Sequence, residues 1–544
     1  MTHRVTRALA MAAAWVFAAV LVPPPATAHS PAPGARAPAP LRWHDCRDPE
    51  ALPRAQCATL RVPLDWERPR GRTTRLALVR LPATDPDRRI GPLLYNGGGP
   101  GGPAVPDVAR GDPPFDAAEL APLRARFDLV GMDPRGVGDS DRVRCGHTPL
   151  HDPSVSRTPV TRAGYERLRK HNRQAGEDCR RATGPLLEHV DTGSVVRDVD
   201  AVRRALGAPR ISWLGLSYGT EIGALYAERY PERVRAMVLD GAVDHSRTAR
   251  RAARDEARAT EAAFRRFTAW CRTDTGCALH GRDPERIYDR VLRAGDRGGL
   301  PAPGLGRRAT AGELAAGAYA QLTLRAQWPS LAESLAAAYG TERHRADATG
   351  LARAAGYHQP GYPAYRAVGC HDFAPRVRGP RDLRARVAEL RAEAPHTWRH
   401  SEFWDWTSGC LGWPVRPANP PRPHRISGTP PILVVNTTGD PATPYPWALS
   451  LTARMERGRL LTVHGEGHTG ILHSACARAH EAGYLLTGRP PRPGTSCRTS
   501  PATAQHPAAT TAQRPAATTA QRSAATAARS PAATTAQRPA RAAR

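Results

Sequence analysis

Short apolar runs ending at glycine or a polar turn recur through the first half of the chain, each followed by a stretch with helical spacing. Leu60 to Trp66 and Leu76 to Leu81, either side of a turn around Pro69 to Gly71, predict an antiparallel pair. Further strands are predicted at Gly91–Tyr95, Phe127–Val130, Ile211–Leu216 and Val234–Asp240. Helices are predicted at Arg162–Cys179 and Ser194–Leu206, the second carrying Val195, Val199, Val202 and Leu206 on one face. Strands alternating with helices in this way imply a mostly parallel sheet covered on both faces, an α/β class. From about His245 to Arg425 the pattern turns helical, with candidates at Arg250–Trp270, Ala311–Leu322, Pro329–Tyr339 and Pro380–Ala394. Aromatic-rich loops such as Phe403–Trp406 and Trp413–Pro414 lie among and after them, and the whole stretch reads as an inserted helical cap. The strand pattern resumes at Pro431–Asn436 and Arg459–Val463, and a helix over Cys476–Leu486 closes the domain.

The two ends read differently. Arg4 and Arg7, an apolar run from Ala8 to Val22 and Ala26-Thr27-Ala28 have the three parts of a secretory signal peptide, cleaved after Ala28. Pro23 to Pro25 end the run short of the ~20 apolar residues a membrane span needs. No cysteine follows the cleavage site, so a lipid anchor is not expected. The organisation is then signal peptide 1–28, Pro/Ala linker 29–40, core 41–245, cap 246–425, core again 426–497, and a tail 498–544. The tail repeats imperfect copies of Thr-Ala-Gln-Arg-Pro-Ala-Ala-Thr, too polar to bury a face, and is predicted to be disordered.

Ten cysteines fit an oxidising destination, and none lies in the signal peptide. Pairing neighbours gives Cys46–Cys57, Cys145–Cys179, Cys271–Cys277, Cys370–Cys410 and Cys476–Cys497 as the simplest connectivity, though spacing does not fix it. No pair of Cys-x-x-Cys knuckles suggests zinc, and no metal site is expected. The formal charge of +28 raises the question of nucleic acid. Lys170 is the only lysine, however, and the arginines are spread among acids and not gathered beside stacking aromatics. Nucleic-acid binding is not expected; the charge suits weak adhesion to anionic polymers of a cell wall.

The chemistry centres on Gly215-Leu-Ser-Tyr-Gly219, between a predicted strand and a predicted helix. A serine on such a turn projects from the sheet, and the helix start beneath it offers N–H groups to a developing oxyanion. Two further parts follow strands in the order Ser, Asp, His: Ser217 as nucleophile, His468 as base and Asp440 as the acid that orients it. Asp240 and His464 are rivals for the last two roles; His464, at a strand end, reads as a packed or hydrogen-bonded residue. The oxyanion donors are expected to be the Tyr218 N–H and one from the glycine loop after Tyr95, at Gly98 or Gly99. Thr443 is placed to support Asp440, and Asp133 with Arg135 is expected to brace its loop by an ion pair.

Jointly, Asn96-Gly-Gly-Gly-Pro-Gly-Gly102, Gly131-Met-Asp-Pro-Arg-Gly-Val-Gly138, Gly215–Gly219, Gly439-Asp-Pro-Ala-Thr-Pro444 and Gly465-Glu-Gly-His468 carry a resemblance. From about Leu41 to Cys497 the chain resembles secreted α/β-hydrolases of the prolyl-iminopeptidase-like serine peptidase family, and within it the actinobacterial tripeptidyl aminopeptidase group. The resemblance implies the α/β-hydrolase fold with a helical cap. It also implies release of amino acids or short peptides, such as tripeptides, from free N-termini of peptide substrates, without a cofactor. Acidic groups of the cap would then hold the substrate ammonium: Asp372 first, with Glu402 and Asp405 behind it. One departure is Gly97, where the group usually carries proline. A carboxylesterase using the same three residues, and a non-enzymatic binding protein on the same fold, are the competing readings.

Overall fold

A computed structural model describes residues 41–341 and 344–500. The expected signal peptide, the linker and the tail beyond residue 500 lie outside the described residues.

The central sheet has ten strands: β1 (His44–Asp45), β2 (Gln56–Pro63), β3 (Thr73–Leu81), β4 (Gly91–Asn96), β5 (Phe127–Met132), β6 (Ile211–Leu216), β7 (Val234–Asp240), then, beyond a small hairpin of β8 (Leu300–Ala302) and β9 (Arg307–Ala309), β10 (Ile432–Gly439), β11 (Gly458–Glu466) and β12 (Ser496–Arg498). Their order is β1-β2-β3-β5-β4-β6-β7-β10-β11-β12. The pairs from β1 to β2, β2 to β3 and β3 to β5 are antiparallel, and all later ones are parallel. This is an α/β-hydrolase fold.

Successive side chains of a strand face opposite sides of the sheet, and both sides here are dry. Trp213, Met237, Leu239, Ile432 and Val434 feed one core, while Leu214, Leu216, Val238, Leu433 and Val435 feed the other. That two-sided burial is why the central strands are near-continuous apolar runs. The connecting helices are α1 (Val105–Arg110), α2 (Ala121–Arg126), α3 (Arg162–Thr183), α4 (Thr192–Ala205) and α5 (Tyr218–Arg229). Asp191 caps α4 by accepting the Ser194 N–H at 2.9 Å, so the helix starts at Thr192, two residues before the predicted start.

The inserted region holds α6 (Ala249–Thr273), α7 (Pro284–Asp296), α8 (Ala311–Leu322), α9 (Trp328–Tyr339), α10 (Thr349–Ala354), α11 (Tyr362–Asp372), α12 (Pro380–Glu393) and α13 (Glu402–Gly409). Helix α6 joins it to the sheet: Ala252, Ala253 and Ala257 pack in a sheet core, and Phe264, Phe267 and Cys271 in a separate cap core with Tyr288, Leu314 and Trp328. Two expectations are corrected. Phe403 to Trp406 is not a loop but helix α13, capped by the Ser401 hydroxyl, which accepts from Trp404 N–H at 3.2 Å. The aromatics are buried all round it, so no polar face marks the helical period. The cap also contains the β8–β9 hairpin. Helices α14 (Tyr445–Thr452) and α15 (Ala475–Thr487) follow, and strand β12, not a helix, ends the sheet, carrying order past the expected start of the tail.

Disulfides join Cys46–Cys57, Cys145–Cys179, Cys271–Cys277, Cys370–Cys410 and Cys476–Cys497. Among the described residues no helix is long and apolar enough to cross a membrane. The expected Asp133–Arg135 pair does not form. Asp133 accepts backbone N–H groups of Ala104, Val105 and Asp139, each at 2.8 Å. Arg135 instead forms a two-pronged bond with Asp198, both contacts 2.6 Å and both side chains wholly buried, and donates to the Leu64 and Pro63 carbonyls. Removing one partner of a buried pair strands the other charge. Arg135→Ala is therefore expected to cost about 3–5 kcal/mol, read from urea unfolding.

Candidate active site

Ser217 occupies the turn between β6 and α5 with φ 53° and ψ −122°, a conformation a side chain adopts only under strain of about 1–3 kcal/mol. The surroundings hold it there: its N–H donates to the Asp240 carbonyl at 2.8 Å, and its carbonyl accepts from Thr220 N–H at 2.9 Å. The flanking glycines are required by close approach. A Cβ on Gly215 would stand 2.3 Å from the Gly219 carbonyl oxygen, and one on Gly219 would stand 2.4 Å from that of Asn96.

The glycine loop leaves β4 directly over this turn. A Cβ on Gly98 would lie 2.7 Å from Ser217 Cβ and 3.0 Å from Tyr218 N. The Gly98 N–H is already given to Asn96 Oδ1 at 3.1 Å. Of the two glycines weighed from the sequence, Gly99 is thus the one whose N–H has no acceptor among the described residues. The Tyr218 N–H opens α5 and has no intrahelical acceptor either. At Gly97 the space for a Cβ is taken by the Tyr95 hydroxyl at 2.8 Å and Asp107 Oδ2 at 3.2 Å, so proline would not fit without moving Tyr95.

Asp440, just past β10, and His468, just past β11, meet at the same end of the sheet. His468 Nδ1 lies 3.0 and 2.9 Å from the two Asp440 oxygens. The carboxylate also accepts from Ala442 and Thr443 N–H, each at 2.9 Å, and from the Thr443 hydroxyl at 2.8 Å. Burial opposes charge on the His468 ring, but the Asp440 carboxylate outweighs it and the ring pKa rises above its usual value. A Cβ on Gly241, next to the carbonyl that holds Ser217, would lie 3.1 Å from His468 Cε1, so the ring edge packs against the end of β7. The His468 N–H donates to the Thr323 carbonyl, at the end of cap helix α8, at 2.7 Å.

The rivals are placed elsewhere. Asp240 is wholly buried and accepts from Gly470 and Ile471 N–H, each at 2.7 Å; burial pushes it up to about 7. It holds the loop that carries His468 and makes no bond to the ring. His464, expected to be packed or hydrogen-bonded, is exposed on β11 and not packed.

Of the three cap acids, two are committed. Asp372 is wholly buried, accepts the Tyr218 hydroxyl, and lies 3.3–3.4 Å from Thr192 N–H; burial pushes it up to about 8. It positions Tyr218 from behind and offers no free face to an ammonium. Asp405 is spent on two arginines, Arg366 at 2.6 Å and Arg157 at 3.0 Å. Glu402, the first residue of α13, is half-buried. Burial raises its pKa to about 7, with His468 pulling it down and Asp440 and Asp405 pushing it up. Behind it stands Glu256 of α6, a residue the sequence did not suggest: wholly buried, one oxygen accepting Phe403 N–H at 2.9 Å and the other without a hydrogen-bond partner. Its position on an Ala- and Arg-rich helix carries no motif.

Fold and site together define a serine hydrolase. The TAP-like protein family profile matches residues 396–497, which include Asp440 and His468. The serine protease Hip1 of Mycobacterium tuberculosis is 33% identical over 84% of this chain and 91% of its own length. The tripeptidyl aminopeptidase of Streptomyces lividans is 30% identical over 84% of this chain and 86% of its own, and carboxylesterase B of M. tuberculosis 34% over 86% and 92%. The chain belongs to the TAP-like family of α/β-hydrolases. The disulfides and these relatives agree with a location outside the cytoplasm.

Proposed function

We propose that the protein is a secreted serine aminopeptidase that releases amino acids or short peptides, tripeptides among them, from free N-termini through an acyl-enzyme on Ser217. In this reading Ser217 Oγ attacks the scissile carbonyl carbon as His468 Nε2 takes its proton. The oxyanion accepts from Tyr218 and Gly99 N–H. His468 returns the proton to the departing amine, and a water deprotonated by His468 then hydrolyses the ester to free Ser217. The observation that carries the peptidase reading is Glu402: a half-buried acid in electrostatic reach of His468 and Asp440 and, among the described residues, in no hydrogen bond or ion pair. An ammonium suits it better than an ester alkyl group. The relatives named as serine protease and tripeptidyl aminopeptidase support the same reading.

The test is a chromogenic series of one-, two- and three-residue peptides, each with a free or acetylated N-terminus, beside a short acyl ester. Cleavage of the free-amine peptides alone is expected, and the best length identifies the released unit. Glu402→Gln should raise KM for free-amine peptides about 10- to 100-fold, the worth of a charge-assisted contact, and leave ester turnover unchanged. Activity on the peptides should fall on the acid side as Glu402 is neutralised near pH 7 and His468 takes up a proton above its ordinary value, both protonations acting in the same direction. Equal use of blocked peptides would instead favour the esterase, which the carboxylesterase relative supports as the second reading.

A further inference from the structure

Glu221 on α5, His245 just after β7 and His424 in the segment before β10 form a buried cluster with no part in the chemistry above. Their exposures are 0%, 0% and 2%. His245 Nδ1 lies 3.3 Å from Glu221 Oε1, His424 Nε2 lies 2.9 Å from Glu221 Oε2, and the rings stack with centroids 5.7 Å apart.

The outer nitrogen of each ring is held in place. His245 Nε2 is 3.0 Å from the Asp372 carbonyl oxygen, which can only accept, so this nitrogen carries the proton and Nδ1 presents its lone pair inward. His424 Nδ1 lies 3.3 Å from Glu228 Oε2, and Glu228 is itself fixed by the Arg422 guanidinium and the Arg425 N–H. The lone pair of His245 thus faces a carboxylate oxygen, and neither His245 Nδ1 nor Glu221 Oε1 has a hydrogen-bond donor. Two acceptors in a dry site repel unless a positive centre stands between them.

We propose that Glu221, His245 and His424 form a structural site for a divalent transition-metal ion of zinc-like chemistry, behind the turn that carries Ser217. The ligand atoms of the three residues lie within 4.8 Å of one another. Two imidazole nitrogens and one or both oxygens of a single carboxylate fit bonds of about 2.0–2.2 Å after small adjustments. Each ring would donate its outer N–H to a carbonyl or carboxylate, the arrangement that fixes a ligand's tautomer and raises its basicity. The ion would reach the serine turn by two routes. Glu221 lies one helical turn past Ser217, and His245 bonds the backbone of Asp372, whose carboxylate holds Tyr218. A proton on His245 Nδ1 would answer the same contact, and the experiment separates the two.

The full chain, secreted into zinc-supplemented medium and dialysed against metal-free buffer, is assayed for zinc before and after denaturation with its disulfides intact. About one zinc per chain is expected, released only on denaturation, as a buried structural ion should be. His245→Asn and His424→Gln should each hold less than about a tenth of it. Wild-type protein refolded with Co²⁺ should show a ligand-field absorption band, and refolding without metal should lower the unfolding temperature until zinc is restored. These wild-type readings decide the matter even if a variant fails to fold. Folded wild type that holds no zinc, and gains neither the band nor stability on refolding with metal, overturns the site in favour of the proton. Zinc that a chelator strips from the folded protein, or that both variants retain, overturns it as adventitious. None of these readings depends on the peptidase assignment.

Discussion

Ser217→Ala is expected to lower turnover on every substrate the protein accepts by at least about 10⁴-fold, with circular dichroism and unfolding midpoint close to wild type. The loss follows from removing the hydroxyl that forms the acyl bond in the proposed mechanism. Alanine also carries a Cβ and inherits the cost of φ 53°, so the backbone strain is the same in the variant and the fold is expected to hold. The measurement is kcat on the best free-amine peptide beside a urea melt. Residual turnover within about 100-fold of wild type would move the nucleophile away from Ser217, because binding and oxyanion donors alone leave far less than that.

Asp440→Asn should cost nearly as much, about 10⁴-fold in kcat at neutral pH. The amide preserves size and leaves Ala442 and Thr443 N–H with an acceptor, so the fold should survive. What is lost is the carboxylate's hold on His468 Nδ1. An amide that turns its NH₂ to the ring favours the tautomer with the proton on Nε2, where the base must be free. The pH profile provides a second readout. Asp440 raises the His468 ring pKa against burial, so without its charge the acid limb set by His468 should shift to lower pH. An unchanged limb and a small loss would indicate that Asp440 acts only through the loop it caps, and Asp240 would then need the same test.

The parts of the site that were legible in the sequence are those that local rules place. A strand followed by Gly-x-Ser-x-Gly and a helix fixes Ser217, and in a parallel sheet every strand delivers its following loop to one edge, so Asp440 and His468 arrive there too. Roles decided by a third neighbour were not legible. Gly98 and Gly99 look alike until Asn96 Oδ1 takes the N–H of one. Asp372 reads as the first choice, ahead of Glu402 and Asp405, yet it is folded under Tyr218, and Asp405 is neutralised by Arg157 from outside the insertion and Arg366 from within it. Helix α13 escaped notice because burial on all sides removes the polar stripe by which helices announce themselves.

The bond from His468 N–H to the Thr323 carbonyl links the base to the cap and not only to the sheet. Any excursion that lifts the end of α8 to let a product out also withdraws the clamp on the loop that carries the imidazole. The position of the imidazole is therefore set by the cap insertion as well as by the sheet edge. Substitutions that loosen the α8 end are therefore expected to slow the chemical step through the loop that carries His468.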